Sequence, residues 1–112
     1  MIDHRDSTGV VVYWRPGCWF CSALMRELDR LALPYERRDI WEDDEAAAFV
    51  RSVAGGNETV PTVRVGDLAL INPSTPDVMR AVAEHAPELL PAGYEPPTTG
   101  RLTRALTRIL GG

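Results

Sequence analysis

Cys18 and Cys21, the chain's two cysteines, stand three residues apart in the run Cys18-Trp19-Phe20-Cys21. Thiols at this spacing can close a disulfide, hold half of a zinc site or sit inert in a core, and their place along the chain chooses between these. They follow Val10-Val11-Val12-Tyr13-Trp14, a continuous run of β-branched and aromatic residues suited to a strand buried on both faces. Arg15-Pro16-Gly17 breaks that run, so the pair falls where a buried strand hands over to a helix. Unpaired backbone N–H groups and the helix dipole at a first turn favour negative charge, which makes Cys18 the thiolate and the nucleophile. Cys21, one turn further in, gains less from the helix terminus and reads as the resolving thiol. Arg15 can add a positive charge near the thiolate or near an anionic thiol substrate. A zinc site needs two further ligands, for which the chain has only His4 in a polar leader and His85 near a helix end, so no metal is expected.

The rest of the composition narrows the class. The 112 residues, 45% of them hydrophobic, can build a single core without disulfide staples. Sixteen acidic against twelve basic side chains leave a net charge of -4, which repels a duplex and argues against nucleic acid as a partner. All twelve basic residues are arginine, so no lysine is present for Schiff-base chemistry. The longest apolar run, residues 9–14, is far short of the roughly 20 residues that span a bilayer, and Met-Ile-Asp-His-Arg-Asp lacks the apolar stretch of a signal peptide. A cytoplasmic protein is expected, and in that compartment a purely structural disulfide is disfavoured.

The elements that position the cysteines follow from periodicity. Leu24, Leu28 and Leu31 form one stripe of a helix over residues 18–33, ended by Pro34, and Tyr35 to Ile40 reads as a second strand. Asp43 or Asp44 can cap a second helix with Ala46, Phe49, Val50 and Val53 on its apolar side, stopped by Gly55-Gly56. Thr62 to Val65 and Leu68 to Ile71 flank Gly66-Asp67 as an antiparallel hairpin. Ser74 or Thr75 can cap a third helix, with Pro76 in its first position and Val78, Val82 and Ala86 on one face. The order is βαβαββα, an α/β domain expected over residues 1–90.

Residues 91–112 read as a proline-rich linker and a tail. Leu102, Leu106, Ile109 and Leu110 fall on one helical face, so a short amphipathic C-terminal helix is expected. The first 90 residues carry nine arginines against fifteen acids and the last 22 carry three against one. At about 11 residues such a helix is not stable alone, and docking on the acidic body is the favoured arrangement over a membrane surface.

A second chemical signal is Thr59-Val60-Pro61-Thr62, where a proline opens a strand, the one ladder position that tolerates it. A cis Val60–Pro61 bond would explain it, although an X–Pro bond is trans by default. With the strand and C-x-x-C of residues 10–21, the stretch from Ala46 to Val63, and Asn72-Pro73-Ser74, the chain resembles the glutaredoxin branch of the thioredoxin-fold oxidoreductases, and among them the mycoredoxins of actinobacteria. The resemblance covers residues 9 to about 88. It implies a thioredoxin-like, four-stranded mixed sheet flanked by helices, a cis-proline at Pro61 facing Cys18, and attack on mixed disulfides of a low-molecular-weight thiol. It places Arg15, Trp19, Phe20, Thr59, Val60, Pro61, Ser74 and Asp77 at the thiol, with Val60 backbone groups holding substrate in strand fashion.

Two departures qualify what the resemblance implies. Glutathione-using members carry a Gly-Gly pair and an acidic residue after the fourth strand, where this chain has Asn72-Pro73-Ser74-Thr75-Pro76-Asp77, the mycoredoxin pattern. Mycothiol is therefore expected as reducing co-substrate ahead of glutathione, with no bound cofactor, acting on S-thiolated proteins and small disulfides as a monomer. Trp19-Phe20 is bulkier than the Gly-Tyr or Pro-Tyr usual between the cysteines, which suits either surface aromatics that dock a protein or core packing. Trp14 and Trp41, at strand ends, read as core or rim, and Asp43-Asp44-Glu45 as helix capping. Two rival functions are an electron donor to ribonucleotide reductase, whose Trp-Ser-Gly-Phe-Arg-Pro signature is missing here, and an iron-sulfur carrier using Cys18 from two chains.

Overall fold

The computed structural model describes residues 9–94 together with the backbone strand Leu106–Ile109. In chain order the elements are β1 (Val10–Trp14), α1 (Trp19–Arg30), β2 (Glu36–Asp39), α2 (Asp44–Val53), β3 (Thr62–Val65), β4 (Leu68–Ile71), α3 (Thr75–His85) and β5 (Leu106–Ile109), with one 3-10 turn at Pro87–Leu89. The sheet runs β2-β1-β3-β4-β5. β1 pairs parallel with β2, Trp14 opposite Asp39, and every other neighbour is antiparallel.

β1 is central because both of its faces are apolar. Val10 and Val12 point into a core shared with Leu24, Met25 and Leu28 of α1 and Val78, Met79 and Val82 of α3. Val11 and Tyr13 point the other way, against Ile40 and the Ala46, Ala47 and Val50 face of α2. Helices α1 and α3 thus cover one face of the sheet and α2 the other. The Tyr13 ring stacks on Phe49 of α2 at 4.9 Å between centroids, and burial raises its phenol above the ordinary value. The hairpin turn is the expected one, with Gly66 at φ +58, a conformation that glycine takes without strain. This βαβαββα core, a four-stranded mixed sheet with three helices, is the thioredoxin-like fold that the resemblance implies.

Two sequence expectations are corrected. α1 ends at Arg30, ahead of Pro34: Ala32 turns left-handed at φ +61, and the N–H groups of Ala32 and Leu33 donate back to Asp29 and Leu28 at 3.0 and 3.1 Å. That closes the helix without the proline. Leu89 and Leu90, at the end of the expected domain, pack on the α1–α3 core, and so does Tyr94 just past it. The C-terminal helix is overturned over Leu106–Ile109, which forms a strand on β4, with Leu106 opposite Ile71 and Ile109 opposite Leu68. A short helix has few internal bonds, whereas the open edge of β4 offers a row of unpaired backbone groups. Leu102 and Leu110 of the expected helix, and His4, lie outside the described residues. No helix among the described residues is long and apolar enough to cross a membrane.

Candidate active site

Between β1 and α1 the chain reverses through Pro16 and Gly17, the latter at φ +80, and the Cys18 N–H donates to the Arg15 carbonyl at 3.3 Å. Cys18 is thereby the N-cap of α1 rather than a residue of its first turn. Its sulfur takes the place of a capping oxygen, accepting the Cys21 N–H at 3.1 Å, while its carbonyl accepts the Ser22 N–H at 3.1 Å. α1 has no acidic residue in its first turn, in contrast to Asp44 and Glu45 in α2 and Asp77 in α3. The positive end of the α1 dipole therefore faces the Cys18 sulfur without a competing carboxylate.

Cys18 and Cys21 are joined by a disulfide, their Cα atoms 5.2 Å apart. Cys21 is fully buried against the core, and Cys18 keeps 7% of its surface. Only the Cys18 sulfur is open to an incoming group. The Val60–Pro61 peptide is cis, as the resemblance implies, and the Val60 carbonyl oxygen lies 3.9 Å from the Cys18 sulfur. Two hydrogen bonds hold this corner. The Thr62 hydroxyl donates to the Thr59 carbonyl at 2.8 Å, and the Asn72 N–H donates to the Pro61 carbonyl at 2.8 Å.

Beside Pro61 a groove of about 190 Å³ runs between Phe20, Leu24 and Glu27 of the α1 side and Pro73 and Ser74 across from them. Ser74 and Asp77 form a reciprocal cap on α3: the Asp77 N–H donates to the Ser74 hydroxyl at 3.3 Å, and the Ser74 N–H to the Asp77 carboxylate at 3.2 Å. Ser74 thus borders the groove, while Asp77 is buried behind it as the cap. Trp19 and Phe20 are 75% and 66% exposed and meet edge to face at 5.3 Å, so the bulky pair lies on the surface and not in the core. The Arg15 guanidinium donates to the Pro16 carbonyl at 3.0 Å and lies over the Trp41 ring, 5.4 Å from its centroid.

Glu27, which shares the groove, and Trp41, which lies under the Arg15 guanidinium, are not among the expected site residues. Glu27 shares the groove through its place two turns along α1, and its carboxylate, bonded to Arg30 at 2.6 Å, is held below the ordinary range. Trp41, read as core or rim, is 61% exposed. Its signal was available: it lies two residues past the carboxyl end of a strand parallel to β1. His85 is an exposed residue at the end of α3 facing Glu84 at 4.0 Å. Among the described residues no group of three or more His, Cys, Asp or Glu side chains is placed to hold a metal ion.

The glutaredoxin family model matches residues 10–69, from β1 through the cysteine pair and Pro61 into β4. A Mycobacterium tuberculosis (strain H37Rv) protein provisionally named a glutaredoxin is 38% identical over 73 residues, which is 64% of this chain and 87% of that one. Mycoredoxin 1 of Corynebacterium glutamicum is 38% identical over 60 residues, 54% of this chain and 73% of the relative. Among solved structures, a buckwheat glutaredoxin–glutathione complex superposes with a TM-score of 0.49 at 22% identity, covering 76% of this chain and 79% of the other. With its family match spanning Cys18, its fully buried partner and the cis-proline beside them, this chain belongs to the glutaredoxin family and is a thiol oxidoreductase of that type.

Proposed function

We propose that this chain reduces mixed disulfides between mycothiol and proteins or small molecules, with Cys18 as the nucleophile. The observation that carries the reading is the Cys18 sulfur capping α1 with no first-turn acid beside it. A thiolate there keeps the Cys21 N–H as a donor and the helix dipole as a counter-charge. It attacks the mycothiol sulfur of the mixed disulfide, forming a Cys18–mycothiol disulfide and releasing the substrate thiolate, which takes up a proton. A second mycothiol thiolate then attacks the adduct, yielding mycothiol disulfide and restoring the Cys18 thiolate. The net reaction converts one mixed disulfide and one mycothiol into one free thiol and one mycothiol disulfide, and an NADPH-dependent flavoenzyme returns the latter to the reduced pool.

Thr59, Val60 and Pro61 offer the thiol an extended backbone beside Cys18, and Phe20 and Ser74 border the groove for the rest of it. The mycothiol assignment is supported by the name of the Corynebacterium relative and by Asn72-Pro73-Ser74 standing where glutathione users have Gly-Gly. The internal Cys18–Cys21 disulfide favours a second route for plain protein disulfides, in which the Cys21 thiolate displaces the partner from Cys18. Both routes suit a monomer in the reducing cytoplasm. The test is a coupled reduction assay run with mycothiol and glutathione in parallel. The expected result is a higher kcat/KM with mycothiol; equal or better turnover with glutathione removes the assignment.

A further inference from the structure

We propose that Trp41, held by Arg15, is the platform on which the sugar or cyclitol ring of the thiol substrate stacks, and so is a specificity residue of the Cys18 site. The inference rests on the mycothiol reading and names the part of the protein that recognises the thiol's uncharged, hydroxyl-rich end.

β1 and β2 are adjacent and parallel, and their chains leave the sheet on opposite faces, α1 on one and α2 on the other. In open α/β sheets a crevice forms outside the carboxyl ends of strands at such a divergence, and ligands bind there. The two lips of this crevice are residues 15–18, carrying Cys18, and residues 40–43, carrying Trp41. One strand spacing, about 4.8 Å, separates the strand ends from which they start.

The second lip is rigid. The Ile40 N–H donates to the Trp14 carbonyl at 2.9 Å, the Trp41 N–H to the Asp39 carboxylate at 2.9 Å, and the Glu42 and Asp43 N–H groups to the Asp39 carbonyl at 3.1 and 3.0 Å. Arg15 lies over the Trp41 ring from the cysteine lip, so one cation joins the two sides. A large indole fixed in place yet 61% exposed has no packing role that explains its exposure. The same turn borders a polar depression of about 500 Å³ with Asp39, Glu42, Asp43 and Asp44 on its walls beside Arg37 and Arg38. Arg38 is paired with Glu36 and Asp43 at 2.6 and 3.1 Å.

A flat aromatic face on the turn whose Asp39, Glu42 and Asp43 line that depression matches a saturated ring with C–H groups on its face and hydroxyls at its edge. Mycothiol carries such rings, a glucosamine joined to an inositol, on the carbonyl side of its cysteine. Glutathione offers a carboxylate there instead, which the acidic walls repel.

The test compares two mixed disulfides with one common partner, one made with mycothiol and one with N-acetylcysteine, which keeps the reacting cysteine and lacks both rings. Wild type, W41A and W41F are assayed on each. Wild type favouring the mycothiol disulfide supports the underlying reading, and no preference overturns it before any variant is considered. In W41A the mycothiol preference in kcat/KM is expected to fall about tenfold, through KM, with partial rescue in W41F because a ring is restored. A wild-type preference that W41A leaves in place overturns the platform alone. If W41A instead slows only the reduction of mycothiolated protein, the indole serves a protein partner and the platform is likewise overturned.

Discussion

The starts of α1 and α3 are built by the same device and put to different uses. Each helix is entered through an extended residue whose side chain accepts an N–H three positions on, Cys21 to Cys18 in one and Asp77 to Ser74 in the other. At α3 the cap is complete: Ser74 and Asp77 satisfy each other, and the buried carboxylate answers the dipole. At α1 the acceptor is a sulfur, the first turn carries no acid, and Trp19 and Phe20 stand out into solvent. A satisfied helix terminus is structure, and one left electrostatically open beside a reactive atom is chemistry. The contrast explains why Asp77, grouped with the thiol contacts on family pattern, sits behind the groove.

Exchanging the roles breaks this comparison most visibly at Cys18. Cys18→Ser supplies a better capping oxygen, so thermal stability of the reduced protein is expected to hold or rise, while turnover of a mycothiol mixed disulfide falls by roughly a thousandfold or more. Cys21→Ser keeps that turnover, or raises it by preventing the internal disulfide, and loses only the reduction of plain protein disulfides. Both single variants being equally inactive would replace the one-cysteine cycle with a two-cysteine one. The opposite pattern is expected at α3, where Ser74→Ala costs about 1 kcal/mol, a fall in Tm of roughly 4–8 °C, with kcat at saturating substrate following the wild type. A collapse in kcat without a Tm change would show that the Ser74 hydroxyl acts in the reaction rather than in the cap. The smallest effect belongs to the far end of α1, where Ala32 occupies the left-handed position glycine usually fills. Ala32→Gly is expected to raise stability by about 0.5 kcal/mol in a denaturant titration, the relief of backbone strain exceeding the added freedom of the unfolded chain.

The local features were legible before the fold. Apolar period and capping chemistry placed β1, the three helices and the hairpin to within a few residues, because each depends on neighbours close in sequence: Asp43 on Ala46, Ser74 on Asp77, Gly66 on its own backbone. The cysteine pair was legible for the same reason, since a nucleophile at a strand-to-helix junction is a local arrangement. Residues on separate elements were a different matter. The resemblance alone, and not the residues' own pattern, brought Val60 toward Cys18, and neither could show that Glu27 shares a groove with Pro73 or that Arg15 reaches Trp41, for these contacts exist only once β3, α3 and β2 have found β1. Residues 106–109 make the point most sharply. Leu106 and Ile109 satisfy a helical pattern, and the open edge of β4, a property of the assembled sheet, decides for the strand.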